Sequence, residues 1–459
     1  MSDPALSMPP AEPSRSANLD DRGLRRVIGP IVLAATIVNI TVGGGIFRLP
    51  SSVAGSLGAA APIAYIVCAV AIGLIALCIA DAGSRVSRTG GPYAYIEVAF
   101  GRYIGFLAGV LLWMLGTFAF AGVSVVFAGN VGELIPFIGT TAGQFVFLAL
   151  LVTILAAVNI RGVQQGARLG TVATFAKLAP LILFAVAGAF FVRPEHLVIE
   201  RVPAASEVSR TAILLIFAFS GIETALVPSG EVRDTARTVP RAILLAMVTI
   251  TVLYLAIQLV AQGILGSALA NATPAPLAEA AGVAFGPAGR TLLLLGATIS
   301  MFGYMSGMIL AVPRALYAFA RDGILPARLA AIHARYATPY LAIVIQTVIV
   351  LLLALSSTFE RLAIISNLSV LLLYALCCAA AWQLRRRGVR TEGTPFSMPL
   401  GNVLPWLGIV IIIWLLTGSR LNEWAALLAA LVIASVLYVI AVRRRSGVLR
   451  TGPVQDASS

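Results

Sequence analysis

Asn39-Ile40-Thr41-Val42-Gly43-Gly44-Gly45-Ile46-Phe47-Arg48-Leu49-Pro50 lies inside the first long apolar run of the chain, which begins near Ile28. The run is long enough to cross a bilayer as a helix. Three consecutive glycines at its middle cost about 1 kcal/mol each relative to alanine in a helix, so the helix is expected to unwind there. A second run carries the same signature: Phe217-Ala218-Phe219-Ser220-Gly221-Ile222-Glu223 puts a breaker near mid-span, followed by Pro228 and Gly230. Unwound backbone exposes N–H and C=O groups that hydrocarbon cannot satisfy, so it persists only where it lines a cavity or holds a ligand. Close helix packing explains small residues in either run alone. Two such breaks, about 178 residues apart in the first and sixth apolar runs, are what an inverted repeat of five plus five helices requires.

Composition places those runs in a membrane. Of 459 residues, 59% are hydrophobic and 11% charged, and the mean hydropathy is +0.97, whereas soluble domains are roughly 25% charged. No soluble fold of this length hides that much apolar surface, because much of any surface must face solvent. The net charge of +13 does not indicate nucleic acid, since the arginines form short clusters between apolar runs and no stripe with interleaved aromatics. The cysteines, Cys68, Cys78, Cys377 and Cys378, all fall inside apolar runs and read as packed thiols. No metal or redox spacing is present. Nucleophiles or acid pairs converging on one face, which a membrane enzyme needs, are also missing. No cofactor is expected. Residues 1 to 23 are polar and lack the apolar core of a cleavable signal peptide.

With roughly 20 apolar residues per crossing, about 12 transmembrane helices are predicted, an all-α integral membrane protein. The spans fall near 28–56, 60–81, 103–128, 144–160, 170–192, 211–230, 242–264, 288–318, 339–356, 361–383, 403–419 and 424–442. Spans 1–5 (28–192) form the first repeat, spans 6–10 (211–383) the second, and 403–442 holds two extra C-terminal helices. Residues 1–27 and 443–459 are expected to be cytoplasmic ends, disordered at the head and after Leu449. Arginines concentrate on alternate connections: Arg85, Arg88 and Arg102; Arg161 and Arg168; Arg233, Arg237 and Arg241; Arg321, Arg328 and Arg335; Arg385, Arg386, Arg387 and Arg390. The head and tail are also arginine-rich, so both termini are assigned to the cytoplasm of an inner (plasma) membrane protein.

Three charged positions inside the runs stand out. Against 31 arginines there is one lysine, Lys177, about nine residues and so roughly 13 Å past Arg168 in span 5. A charge at that depth costs at least about 2.5 kcal/mol, and unlike arginine a buried lysine sheds its proton in the physiological range. A proton-coupled carrier wants such a group, although snorkelling to the interface is the plainer account. Glu223, the one carboxylate deep in a span, fits three tasks: moving a proton, binding a substrate amine, or holding free backbone N–H groups at the start of the second half-helix. Arg48, just past the first break, is suited to a carboxylate partner or to an outward vestibule.

Four blocks in order resemble the amino acid–polyamine–organocation superfamily over nearly the whole chain. They are Gly43 through Pro50; Arg88-Thr-Gly-Gly-Pro-Tyr-Ala-Tyr95 with Phe100-Gly101; Phe219 through Glu223 continuing to Glu231 through Arg241; and Arg314 through Pro326 followed by Thr338-Pro339. The resemblance implies a LeuT-type inverted repeat and an amino acid permease working by alternating access. It implies that the two breaks hold the α-amino and α-carboxyl groups of a small-molecule substrate. The contacts then come from Val42, Gly43, Gly44, Gly45 and Ile46 in span 1, and from Phe217, Ala218, Phe219, Ser220, Gly221, Ile222 and Glu223 in span 6. Lys177 matches a lysine that replaces a sodium ion in proton-coupled relatives, which favours symport with protons, Glu223 being the second coupling candidate. Many members lack that lysine and work as exchangers, so proton-independent amino acid or polyamine exchange is the alternative. Phe217 stands where some cation exchangers carry tryptophan, which points away from strict arginine–agmatine exchange. With no further buried charge in the spans, a small neutral amino acid is the expected cargo. Its identity, and any oligomeric state, depend on packing that span assignment does not supply.

Overall fold

The computed structural model describes residues 28–86, 90–161, 178–226, 232–273, 275–390, 395–396 and 398–450. Lys177, the expected cytoplasmic head 1–27, residues 451–459, and the stretch from Pro228 to Glu231 lie outside the described residues. The described chain is helical throughout, and its one β contact is an isolated bridge between Ile28 and Val232. That bridge, with the Arg233 amide donating to the Ile28 carbonyl at 3.0 Å, ties the entry to the first helix to the entry to a later one.

In chain order the helices are α1 (Pro30–Thr41), α2 (Gly45–Leu57), α3 (Ala61–Arg85), α4 (Pro92–Phe100), α5 (Arg102–Gly132), α6 (Thr141–Ile160) and α7 (Leu178–Phe191). They continue with α8 (Ala205–Phe219), α9 (Ile222–Ala225), α10 (Thr235–Leu265), α11 (Pro276–Ala311), α12 (Pro313–Arg321), α13 (Tyr340–Ser356), α14 (Phe359–Arg386), α15 (Val403–Leu416) and α16 (Leu421–Arg450). Among the described residues, eight segments are long and apolar enough to cross a membrane, and α1, α7, α13 and α15 are shorter apolar helices. Apolar side chains on the outer faces remain exposed, among them Val248 and Val252 on α10, Leu352 on α13 and Val432, Ile433 and Val436 on α16. Exposure of that kind is tolerable in hydrocarbon and not in water. The chain is a multi-pass membrane protein.

Four elements depart from the predicted boundaries by six residues or more, one of them α10, which begins at Thr235 where the span was expected from 242. The span expected from 211 begins at Ala205, and α16 continues to Arg450, past the predicted end at 442. The span expected from 288 is the second part of α11. Gly286 has φ +72 and kinks it, so a first helical part starts as early as Pro276. Gly286-Pro287 reads as a stop because glycine at positive φ and proline both end a helix. Here the chain bends at the pair and carries on.

At the centre, α5 packs along α14, α11 and α13, while α3 packs against α10, α8 and α14. The broken elements sit inside this frame: α1 against α10, and α2 against α8. Buried tyrosines tie the frame with hydroxyl bonds, as in Tyr65 donating to Gln258 Oε1 at 3.1 Å. Asn367 on α14 donates to the carbonyls of Ile213 and Leu214 on α8 at 2.7 and 3.2 Å. At one end of the bundle the fully buried Asp81 accepts from Arg85 Nε and Nη2 at 3.1 and 3.2 Å, with Arg385 Nη1 3.6 Å away. At the other end, Arg210 grips Glu423 with two bonds of 2.8 and 2.6 Å and ties the start of α8 to the start of α16.

Removing one member of a buried pair strands the remaining charge. Asp81→Asn is therefore expected to lower stability by about 2–3 kcal/mol, the low side for buried pairs because Arg385 keeps part of its side chain in solvent. Thermal unfolding in detergent checks it, with Arg201→Gln, which breaks the exposed Arg201–Glu207 pair, as the comparison of near-zero effect.

Candidate functional site

Both predicted breaks are present, and they face each other. The first helix ends at Thr41, and Val42 leaves the helical region with φ −73 and ψ 82. The Gly43 amide closes a tight turn onto the Thr41 carbonyl at 2.8 Å. The chain becomes helical again at Gly45, where α2 begins with no side-chain cap, so the amides of its first turn keep their donor capacity. In the second break α8 ends at Phe219, Ser220 is extended, and Gly221 takes φ +133 before α9 starts at Ile222. Residues other than glycine rarely adopt that φ.

Glycine also permits the approach of the two breaks. A Cβ on Gly221 would stand 3.0 Å from Thr41 Oγ1 and 3.1 Å from Thr41 Cα. One on Gly45 would meet Phe217 Cδ1 at 3.0 Å and Ala218 Cα at 3.3 Å, and one on Gly44 would meet Met301 and Val123 at 3.2 Å. Each chain therefore lies against the other where both lack regular hydrogen bonding. The Tyr254 hydroxyl on α10 bridges them, 2.9 Å from the Ala218 carbonyl and 3.2 Å from that of Thr41. Its single proton is shared between the two helix C-terminal ends, whose carbonyls lack intrahelical partners.

The side chains packed around the breaks are aromatic and apolar. Phe217 meets Phe359 edge to face at 5.4 Å, Phe219 meets Tyr254 at 5.3 Å, and Tyr304 Cδ2 lies 3.6 Å from where a Gly43 Cβ would be. Val42, Ile46, Phe217, Ala218, Phe219 and Ile222 are all buried. Next to Phe359, Glu360 accepts from Arg48 Nη2 at 2.8 Å, while Arg48 Nη1 donates to Ser51 Oγ at 3.2 Å. The first half-turn of α2 is thereby latched to the start of α14, and Arg48 takes the carboxylate partner rather than an open vestibule.

Glu223 is 2% exposed. Its Oε2 accepts from the Gly221 amide at 3.1 Å and from the Tyr374 hydroxyl at 2.7 Å. No arginine pairs with it among the described residues. Of the three tasks open to this residue, the geometry matches holding backbone N–H at the start of α9, and a buried carboxylate with two neutral donors remains able to take up a proton. No group of three or more His, Cys, Asp or Glu able to hold a metal occurs among the described residues. His196 instead contacts the Gly263 carbonyl at 2.9 Å.

The structure thus brings Val42 through Ile46 together with Phe217 through Glu223; Lys177 lies outside the described residues. Missing from the sequence reading were Tyr254, Tyr304, Tyr374 and Phe359. A tyrosine inside an apolar helix needs a hydroxyl partner; that signal could have marked Tyr254 and Tyr374, although it does not reveal the partner.

Comparison with known proteins agrees with this architecture. A family model described as amino acid permease matches residues 28–443. The serine/threonine exchanger of Bacillus subtilis strain 168 is 26% identical over 88% of this chain and 93% of its own length. The methylthioribose transporter of the same organism is 24% identical, covering 94% of this chain and 96% of its own. Its branched-chain amino acid permease is likewise 24% identical, covering 94% and 96%.

Strain and crowding both act at Gly221. Gly221→Ala is expected to destabilise the protein by about 1–3 kcal/mol. Gly73→Ala on α3, where an added Cβ meets nothing within 4 Å, should be neutral or slightly stabilising. Equal melting temperatures for the two variants would show that the second break is not held against Thr41.

Proposed function

The chain belongs to the amino acid permease family, and on that premise we propose that it carries a small neutral amino acid by alternating access, coupled to proton entry. The observation that carries the reading is the opposition of the two breaks, α1/α2 and α8/α9. A zwitterion needs donors for its carboxylate and acceptors for its ammonium. The uncapped first turn of α2, at Gly45 and Ile46, offers amides at the positive end of a half-helix, and the C-terminal ends of α1 and α8 offer carbonyls at negative ends. Val42, Gly43, Gly44 and Phe217 through Ile222 complete the backbone cradle. Val123, Met301, Tyr304, Phe217 and Phe359 supply apolar walls, which suit an uncharged side chain.

In the same reading the breaks fall in spans 1 and 6 of twelve. Spans 1–5 and 6–10 form the LeuT-type inverted repeat, followed by two further helices. The arginine-rich connections and both termini face the cytoplasm. On that orientation the Arg48–Glu360 latch and the Phe217–Phe359 pair close the outer side. Glu223 and Lys177 are the groups assigned to the proton. Protonating Glu223 weakens its hold on the Gly221 amide and so couples proton binding to the geometry of the second break.

Proton-independent exchange is the second reading, favoured by the exchanger among the relatives. Uptake of labelled amino acids into proteoliposomes separates the two. Symport gives accumulation driven by an inward pH gradient into empty vesicles, whereas exchange requires amino acid inside and ignores the gradient. For symport, Lys177→Ala and Glu223→Gln are expected to abolish gradient-driven accumulation while ligand-induced thermal stabilisation partly survives. Accumulation by either variant at the wild-type level would remove that residue from coupling. Absence of uptake or stabilisation by every amino acid tested would overturn the amino acid assignment.

A further inference from the structure

The end of the bundle opposite the Arg48–Glu360 latch carries a cationic cavity that the transport reading does not use. It has a volume of about 500 Å³ and is lined by Arg85, Trp382, Arg385, Arg386, Gly388, Arg390 and Asn402. Three helix ends make it: the last turn of α3, the last turn of α14 and the N-terminus of α15. Four guanidiniums converge there, and among the described residues Asp81 is the one carboxylate paired with any of them. Asp81 is committed to Arg85 through two hydrogen bonds, and Arg85 spends Nη1 on the Val389 carbonyl at 3.3 Å. Arg385 Nη1 is buried and makes no hydrogen bond among the described residues, its nearest carboxylate oxygen being Asp81 Oδ1 at 3.6 Å, beyond hydrogen-bond reach. Arg386 lies over the Trp382 ring at 5.4 Å, a contact that positions its guanidinium without neutralising it.

A buried guanidinium nitrogen without an acceptor, inside a net-positive concavity, calls for an anion. Planar guanidiniums match the paired oxygens of a phosphate. The N-terminus of α15, a helix of 14 residues whose N-cap Asn402 makes no side-chain cap bond, adds positive potential on the same wall. The direction from which such a phosphate comes is written on α15. Val403, Trp406, Leu407, Val410 and Ile413 are all exposed, an apolar ridge that starts one residue from Asn402 and runs away from the cavity. Trp406 also meets Trp382 edge to face at 5.7 Å, so tryptophans border the cavity where interfacial aromatics belong. A soluble phosphate would use the arginines and ignore the ridge; an anionic phospholipid uses both.

We propose that this cavity is a binding site for a phosphate group, filled by the headgroup of an anionic phospholipid whose acyl chains lie along α15. The headgroup neutralises Arg386 and Arg390, accepts from Arg385 Nη1, and pins the ends of α3 and α14 to α15.

The full-length protein, purified in detergent, is mixed with phosphatidylglycerol, with phosphatidylcholine of the same acyl chains, or with inorganic phosphate. Retained lipid is counted by native mass spectrometry, and melting temperature is followed in parallel. The wild type is expected to retain phosphatidylglycerol in preference to phosphatidylcholine and to melt higher with it. The double variant Arg386→Gln/Arg390→Gln should lose that preference by about tenfold. Arg328→Gln/Arg335→Gln, which removes equal charge from exposed positions outside the cavity, should keep it. Equal retention of the two lipids by the wild type overturns the proposal whether or not any variant folds. Equal loss in both double variants also overturns it, since the attraction is then diffuse. Stabilisation by inorganic phosphate, with none from phosphatidylglycerol, overturns the lipid as the source.

Discussion

Peptide groups in hydrocarbon have no water to fall back on, and the architecture follows from how this chain satisfies them where its helices stop. At Thr41 and Phe219 two helices end at mid-bundle, each leaving carbonyls that α-helical geometry no longer serves. The remedy is mutual. One hydroxyl, that of Tyr254, spans the Thr41 and Ala218 carbonyls, and glycine at 221 lets the second chain lie on the first. Neither break is served by its own helix at this depth, and the hydroxyl that reaches both comes from a third element, α10. The cradle and the stability of the pair therefore rest on the same contacts.

Charge is handled by a related rule. Where ions are withdrawn from solvent they are paired, within α3 for Asp81 and Arg85 and across elements distant in sequence for Asp81 with Arg385, Arg48 with Glu360 and Arg210 with Glu423. All of these pairs sit toward helix ends. Glu223, the carboxylate in the middle of the bundle among the described residues, has neutral donors instead, Tyr374 and the Gly221 amide. A guanidinium partner would fix its charge, whereas neutral donors leave its protonation free to respond to surroundings. The contrast separates paired braces from a carboxylate held by neutral donors alone, and that carboxylate is bonded to Gly221, the residue with the least ordinary backbone in the site.

Much of this was legible in the sequence because glycine and charge are expensive in a membrane. Gly43–Gly45 and Ser220–Gly221 announced both breaks through helix propensity alone, and the structure puts the breaks at those residues. The partners were not legible. Tyr254 is 213 residues from Thr41, Tyr374 is 151 from Glu223, and Glu360 is 312 from Arg48. Periodicity in one helix carries no information about which face meets which neighbour. The start of α11 was missed for a different reason: Gly286-Pro287 has the local chemistry of a helix end, and packing on both sides of the kink overrode it.

The two ends of α14 show how the fold divides labour. At its first turn Glu360 reaches the first break by way of Arg48 and Phe359 reaches the second by way of Phe217, so movement of this helix is transmitted to both breaks. Its last turn presents Arg385 and Arg386 to the cationic cavity beside α3 and α15. Between them Asn367 and Tyr374 hold α8 and Glu223. One continuous helix of 28 residues thus touches the closure over the site, both sides of the second break and the charged end of the bundle. A rigid element with those contacts couples them mechanically, because a hydrogen-bonded helix shifts as a body more readily than it stretches. Anything that fixes its arginine-rich end also restricts how far its Glu360 end can move away from α2.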